Sequence, residues 1–186
     1  MIRLAIIGLA GRNLEDLTKL SVYHMDWMFG TVLLYIENVL KKKLEEIILI
    51  SGGSAWADHV AIQLYLTKKF AGLELYLPTN FDRKTKLFII THQGIILNEL
   101  HTNCAKKTGY NIFDELYQVM IDPTVKVNIK NGFFQRNTCI AQNNDYLIAF
   151  TFNKNISNKG GTYDTWRKIT HKNKIHFQLP TKITVY

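Results

Sequence analysis

Ile47-Ile48-Leu49-Ile50-Ser51-Gly52-Gly53-Ser54-Ala55-Trp56-Ala57-Asp58-His59-Val60-Ala61 joins an aliphatic run, a Ser-Gly-Gly turn and a helix-like run without a break. The aliphatic run has strand composition, and the glycines let the chain turn tightly with no Cβ in the way. The helix that follows starts with unpaired N–H groups and the positive end of its dipole. A strand, a glycine turn and a helix N-terminus together suit a phosphate or another anion. A second diglycine turn lies near the other end, at Lys159-Gly160-Gly161-Thr162-Tyr163-Asp164-Thr165-Trp166.

Periodicity outward from these turns gives alternating strands and helices. Strands are expected over 3–7, 46–50 and 73–77, the last stopped by Pro78, with helices over 27–44 and 55–70. In the first helix Leu33, Ile36, Leu40 and Leu44 share a face. This rhythm implies parallel strands joined by right-handed crossovers. The segment 79–123 breaks it with two helices, over 93–107 and 111–121, and reads as a helical excursion with the role of a lid open to it. A short strand over 125–129, a helix over 136–143, a buried strand over 146–152, a helix over 162–169 and a strand over 174–179 follow, with 183–186 as a tail. The expected fold is α/β, a Rossmann-like three-layer domain with a mostly parallel central sheet. The 186 residues suit one domain. Ligands of such sheets bind beyond the carboxyl ends of the strands. Gly8, Ser51, Pro78 and Thr151 each follow a strand and should crowd one edge.

Composition narrows the class. The apolar share is 47% and the charged share 20%, as in an ordinary soluble protein. The longest apolar stretch, 27–40, contains Tyr35, Glu37 and Asn38 and is too short and polar to span a bilayer. No secretory signal is visible, and Cys104 and Cys139 make no disulfide framework, so the expectation is a reduced, cytoplasmic protein with no membrane partner. The net charge of +8 raises nucleic acid as a partner. Most lysines, however, are scattered or stand at helix C-termini, as in Lys41-Lys42-Lys43, Lys68-Lys69 and Lys106-Lys107. Such lysines complement the helix dipole, which favours a solvated surface over a nucleic-acid footprint. A homodimer is also open to the chain.

Three signatures resemble a known group. Ser51-Gly52-Gly53 with Asp58 and Ala61 resembles the strand-to-helix turn of DNA-processing protein A (Smf) and of the Lonely Guy–type Rossmann proteins, together the SLOG superfamily. Gly132-Phe133-Phe134-Gln135-Arg136-Asn137, followed by Ile140-Ala141 and Asp145-Tyr146-Leu147-Ile148-Ala149-Phe150, is similar to the group's aromatic-x-x-Arg-Asn helix and next strand. Gly160-Gly161-Thr162 falls where the group has its second phosphate-side turn. The resemblance implies a Rossmann-like fold and a nucleotide or nucleotide-derived ligand, with the nearest likeness to uncharacterised members. The chain departs from both defined subgroups. Lonely Guy hydrolases carry Pro-Gly-Gly-x-Gly-Thr-x-x-Glu; here Thr165 stands three past Thr162, and Asp164 is the nearest carboxylate. The DNA-processing subgroup, which binds single-stranded DNA, usually has Ser-Gly-x-Ala-x-Gly-Ile-Asp, and here Trp56 takes the place of the later glycine.

The candidate ligand residues are Gly8, Arg12, Ser51, Gly52, Gly53, Asp58, Arg136, Asn137, Gly160, Gly161 and Thr162. The glycines offer amides to phosphate, or serve only as turns. Arg12 and Arg136 have the forked guanidinium that grips phosphate, while a surface salt bridge for Arg12, or a brace to Asp58 or Asp145 for Arg136, is the plainer reading. Ser51 and Thr162 offer hydroxyls, with Thr162 equally suited to an N-cap. Asn137 can bond a ligand or cap its own loop. Asp58 can bind ribose hydroxyls, act as a base, or simply complement its helix dipole. Asp58 and Asp164 are the candidate catalytic carboxylates of a nucleotide N-glycosidase-like hydrolase, a nucleoside monophosphate or an NAD derivative being the substrate. Asp58 and His59 are adjacent on a helix and make poor catalytic geometry. His101 and Cys104, three apart, form too small a set for a metal site, and none is expected. Trp56 and Trp166 suit base stacking or packing against the sheet. The sequence therefore points to a nucleotide-type binding protein or sensor, with the hydrolase and a single-stranded DNA binder as the alternatives.

Overall fold

The structure, a computed structural model, describes residues 1–181; the 183–186 tail of the sequence reading lies outside the described residues. Six strands form one parallel sheet: β1 (Ile2–Gly8), β2 (Ile47–Ser51), β3 (Gly72–Leu77), β6 (Lys126–Ile129), β7 (Tyr146–Thr151) and β8 (Lys174–Gln178). A small antiparallel hairpin, β4 (Phe81–Asp82) with β5 (Leu87–Phe88), stands apart. The order across the sheet is β6-β3-β2-β1-β7-β8.

Period-two burial builds the three layers. In β1, Leu4 and Ile6 belong to one core cluster, and Ala5 and Ile7 to another. The larger cluster is completed by α2 (Val22–Tyr35), α3 (Ala57–Thr67), α4 (His92–Thr108) and α5 (Ile112–Ile121). The smaller takes Ile140 and Ala141 from α6 (Gly132–Gln142) and Trp166 from α7 (Gly160–Lys168). The handedness rule accounts for this division. From β1 to β2, β3 and β6 the chain moves one way across the sheet; from β6 to β7 and β8 it moves the other way. Right-handed crossovers then put the two sets of helices on opposite faces.

The order reverses at β1, between β2 and β7, and this switch opens a crevice beyond the carboxyl ends of β1 and β7. Gly8 ends β1 in a crowded place. A Cβ there would lie 2.4 Å from the Phe150 carbonyl oxygen and 2.7 Å from the Ala57 Cβ.

Several boundaries differ from those the sequence suggests. The 27–44 helix is instead α2, which starts at Val22, and a π turn, Ile36–Leu40, closed by Lys41 in the left-handed region at φ 51°. The early start reflects local bonds: the Ser21 amide donates to His24 Nδ1, and the Ser21 hydroxyl lies 3.0 Å from the same nitrogen. A short helix, α1 (Leu14–Lys19), capped by Asn13 through the Asp16 amide, was not anticipated. The helix α6 starts four residues before 136 and α7 two before 162, so Gly160 and Gly161 lie inside the first turn of α7 rather than ahead of it. The excursion 79–123 also holds the hairpin. Its helices pack on α2 and α3 in the larger layer, and none of its residues lines the crevice.

Gly8→Ala should lower stability by about 1–3 kcal/mol, the usual cost of forcing atoms into a filled site. Gly30→Ala, in α2 with nothing within 4 Å of the added carbon, should be neutral or slightly stabilising. Thermal denaturation of the two variants reads the contrast.

Candidate functional site

A cavity of about 810 Å³ occupies the crevice at the switch point. That falls in the roughly 300–1,000 Å³ range of small-molecule sites. Its wall comes from residues 7–13 at the end of β1 and in the turn after it, Glu15, Asp16 and Lys19 of α1, the loop between β7 and α7, residues of α6, and Ser54 and Asp58 beside β2. Gly8, Arg12, Asp58, Arg136, Asn137, Gly160, Gly161 and Thr162 all line it. Ser51, Gly52, Gly53 and Asp164 do not.

The buried turn after β2 ties the Ser51 hydroxyl and the Gly53 amide within itself, while the Ser54 hydroxyl has no partner among the described residues. The Ser51 hydroxyl donates to the Asp58 carbonyl at 2.7 Å and accepts the Gly53 amide at 3.0 Å. Gly53, at φ 64°, faces Leu77, whose Cδ2 would be 2.2 Å from an added Cβ. Gly52 lies under Arg136, whose Nη1 would be 2.6 Å from an added Cβ. The first diglycine turn thus builds the wall from behind. It does not present its amides to the crevice in the way the sequence suggests.

Arg136 is buried and nearly all its donors are spent. Nη1 donates to the Gly52 carbonyl at 2.8 Å and to Asp58 Oδ2 at 3.4 Å. Nε and Nη2 both donate to Asn137 Oδ1, at 3.1 and 3.0 Å. Asn137 Nδ2 donates onward to the Gly161 carbonyl at 3.4 Å and to Asp164 Oδ2 at 3.3 Å. The two diglycine segments are therefore joined through Arg136 and Asn137. Of the readings open to Arg136, the geometry is that of the brace to Asp58. Burial presses its guanidinium below the ordinary value, and Asp58 opposes that.

The cations left over are Arg12 and Lys159. Among the described residues, neither makes a hydrogen bond or an ion pair, and the Arg12 guanidinium stands 4.2 Å from the centre of the Phe133 ring. Lys159 precedes α7, which has no side-chain cap, so the amides of Gly160 to Thr162 have no intrahelical partner. Thr162 is the third residue of this helix rather than its cap. Its hydroxyl donates to the Gly8 carbonyl at 2.8 Å and ties α7 to β1.

Trp56 sits just before α3 at φ 60°, ψ −113°, a conformation that favours glycine, and is fully buried. Such a conformation costs about 1–3 kcal/mol and persists only where its surroundings fix it. It occupies the position where the resemblance called for glycine. Trp56 and Trp166 both pack in the cores, away from the cavity lining.

A protein of Acanthamoeba polyphaga mimivirus, the uncharacterised protein R261, is 49% identical over 178 residues, which cover 96% of each chain. The chain belongs to the R261 family. No family model matches it, and no solved structure does.

The two carboxylates considered for catalysis in this R261-family member differ sharply. Burial acts to raise the Asp164 carboxyl, but hydrogen bonds from Lys168 at 2.7 Å, Arg167 at 3.0 Å and Asn137 outweigh it and hold the group below the ordinary aspartate range. Asp164 is a structural hub behind the wall, not a base facing the cavity. Asp58 does line the cavity, and burial raises its carboxyl in spite of Arg136, the Ser54 amide and Arg12.

Other sequence candidates lie elsewhere. His59 Nε2 donates to Glu115 Oε2 at 2.7 Å, away from Asp58. Burial lowers His101 to about 3 and lifts Cys104 to about 12, so the first is a neutral ring and the second an unreactive thiol. Among the described residues no group of three or more His, Cys, Asp or Glu is placed to hold a metal, and no helix is long and apolar enough to cross a membrane. Sequence reasoning did not single out Ser54, Phe134 or Lys159 as site residues. Ser54 and Lys159 flank the very turns that drew notice, and that adjacency was the available signal.

Arg136→Ala leaves Asp58 buried without its partner and should cost about 3–5 kcal/mol, read by chemical denaturation. Asp164→Asn should cost about 1–2 kcal/mol at neutral pH. Because the folded Asp164 carboxyl is held low, its stabilisation is present above the ordinary aspartate pKa and is lost as pH falls through the folded value. The gap between wild type and Asp164→Asn should therefore close on acidification; a pH-independent gap would contradict the assignment.

Proposed function

We propose that the chain binds a nucleotide or nucleotide-derived molecule in this cavity and acts as a binding protein or sensor. The observation that carries the reading is the meeting of two unpaired cations, Arg12 and Lys159, with the uncapped start of α7 at a topological switch point. Free amides, a helix dipole and a guanidinium together favour a phosphate over a neutral or cationic group. Phe134, 76% exposed, also lines the cavity and offers a face on which a planar base can stack. The resemblance to the SLOG superfamily points to the same ligand class, and the glycine-like backbone of Trp56 supports that resemblance.

A second reading rests on Asp58 alone. A buried carboxyl with a raised pKa on a cavity wall is chemistry a general acid or base needs. Hydrolysis of an N-glycosidic bond would then follow binding. Free base released from nucleoside monophosphates, followed by chromatography, supports this reading; intact nucleotide after long incubation at high protein concentration removes it.

A panel of AMP, ADP-ribose, NAD and cyclic nucleotides should contain at least one compound that raises the melting temperature. Arg12→Ala should weaken that binding by about 10- to 100-fold, the worth of a charge-assisted hydrogen bond. Gly161 has room for a side chain, its added Cβ meeting nothing closer than Asn137 Nδ2 at 3.6 Å. Gly161→Asp should therefore fold and abolish the shift by setting a carboxylate among the amides. A panel without any stabilising compound would count against the proposal.

A further inference from the structure

The cavity is chemically polarised. Its unpaired positive charge lies on the β1 and α7 side, at Arg12, Lys159 and the first amides of α7; the carboxylates there are engaged, Glu15 by Lys19 and Asp16 by Asn13. Its other side, beside β2, is different. Ser54 lines the cavity there, is 4% exposed, and its hydroxyl has no hydrogen-bond partner. A hydroxyl buried in that way is an unmet donor and acceptor, and native structures seldom leave one unexplained. Its neighbour Asp58 also lines the cavity. Asp58 Oδ2 takes the Ser54 amide at 3.3 Å and Arg136 Nη1 at 3.4 Å, while Oδ1 takes no hydrogen bond from any described residue. The strained Trp56 backbone lies between the two and fixes their relative placement.

These groups do not suit a second phosphate. The Asp58 carboxylate repels an anion, and Arg136, the cation closest to it, is committed to Gly52 and Asn137. A carboxylate oxygen is an acceptor, and a serine hydroxyl both donates and accepts. Their complement is a neutral hydroxylated group, such as the vicinal diol of a ribose.

Resting on the nucleotide-type reading above, we infer that Ser54 and Asp58 form a sugar subsite that selects ribose over deoxyribose, with the phosphate held on the opposite side by Arg12 and α7. The ligand is then a ribonucleotide or a ribosylated derivative of one. A site with polar groups placed for a hydroxyl discriminates strongly against an analogue that lacks it, because its own groups are left unpaired.

Titration calorimetry with ribonucleoside 5′-monophosphates and their 2′-deoxy and 3′-deoxy counterparts tests this. Wild type should bind the best ribonucleotide at least about tenfold more tightly than one of its deoxy analogues, the loss expected of one hydrogen bond to a charged acceptor. Ser54→Ala should shrink that ratio towards one while leaving affinity for the deoxy analogue within about twofold, as a hydroxyl-specific contact requires, and Asp58→Asn should shrink the ratio as well. Ser54→Ala removes a single atom with no partner, so it keeps the test open if Asp58→Asn is poorly folded. Equal affinity for ribo- and deoxynucleotides in wild type, or an unchanged ratio in Ser54→Ala, would overturn the subsite while leaving nucleotide binding intact. Binding of none of these compounds would instead remove the underlying reading, and the subsite with it.

Discussion

The contact on which the site depends is the relay from Gly52 through Arg136 and Asn137 to Gly161. A guanidinium has a rigid fork of donors and no acceptor, so it can hold several oxygens in fixed geometry at once. Here it holds a carbonyl from the turn after β2, a carboxylate from α3, and the amide oxygen of its own neighbour. Asn137 turns the charge of that network into a neutral link to α7. Without this relay the turn after β2 would lose its polar link to α7, and a buried Asp58 would lack its counter-charge.

That arrangement sorts the charges by duty. Arg136 and Asp164 are spent on architecture, with partners on every side. Arg12, which rests on the Phe133 ring, and Lys159 make no hydrogen bond or ion pair with any described residue. A basic chain can hide such a distinction, because counting residues gives the same net charge either way. The burial and partners of each cation supply the distinction: of the cations lining the crevice, Arg136 and Lys19 are paired, while Arg12 and Lys159 make no ion pair with any described residue.

The first three strands were legible because they are short, aliphatic and bounded by glycine or proline. Every parallel strand fell within a residue or so of its expected place. The boundaries of α6 and α7 were harder to read. Gly132 and Gly160 both adopt positive φ at helix starts, and a glycine there reads as loop. The hairpin of β4 and β5 has two residues per strand, too few for alternation to register. In the site, position along the chain revealed which residues gather, but not which way they face. Gly52 and Gly161 look alike in sequence; one is pressed against Arg136 and the other opens on the cavity. A lone serine in a turn carries no pattern; what marks Ser54 is an unpartnered hydroxyl on a residue of the cavity wall.

Trp56 constrains its own replacement. Glycine at that position would relax the backbone but would leave an indole-sized hole in the larger core. Any other side chain would keep the torsional strain and still fill less space. Single changes at 56 therefore lead downhill in every direction. Drift towards glycine at this position would need a compensating bulky residue from across the core, arriving almost in step.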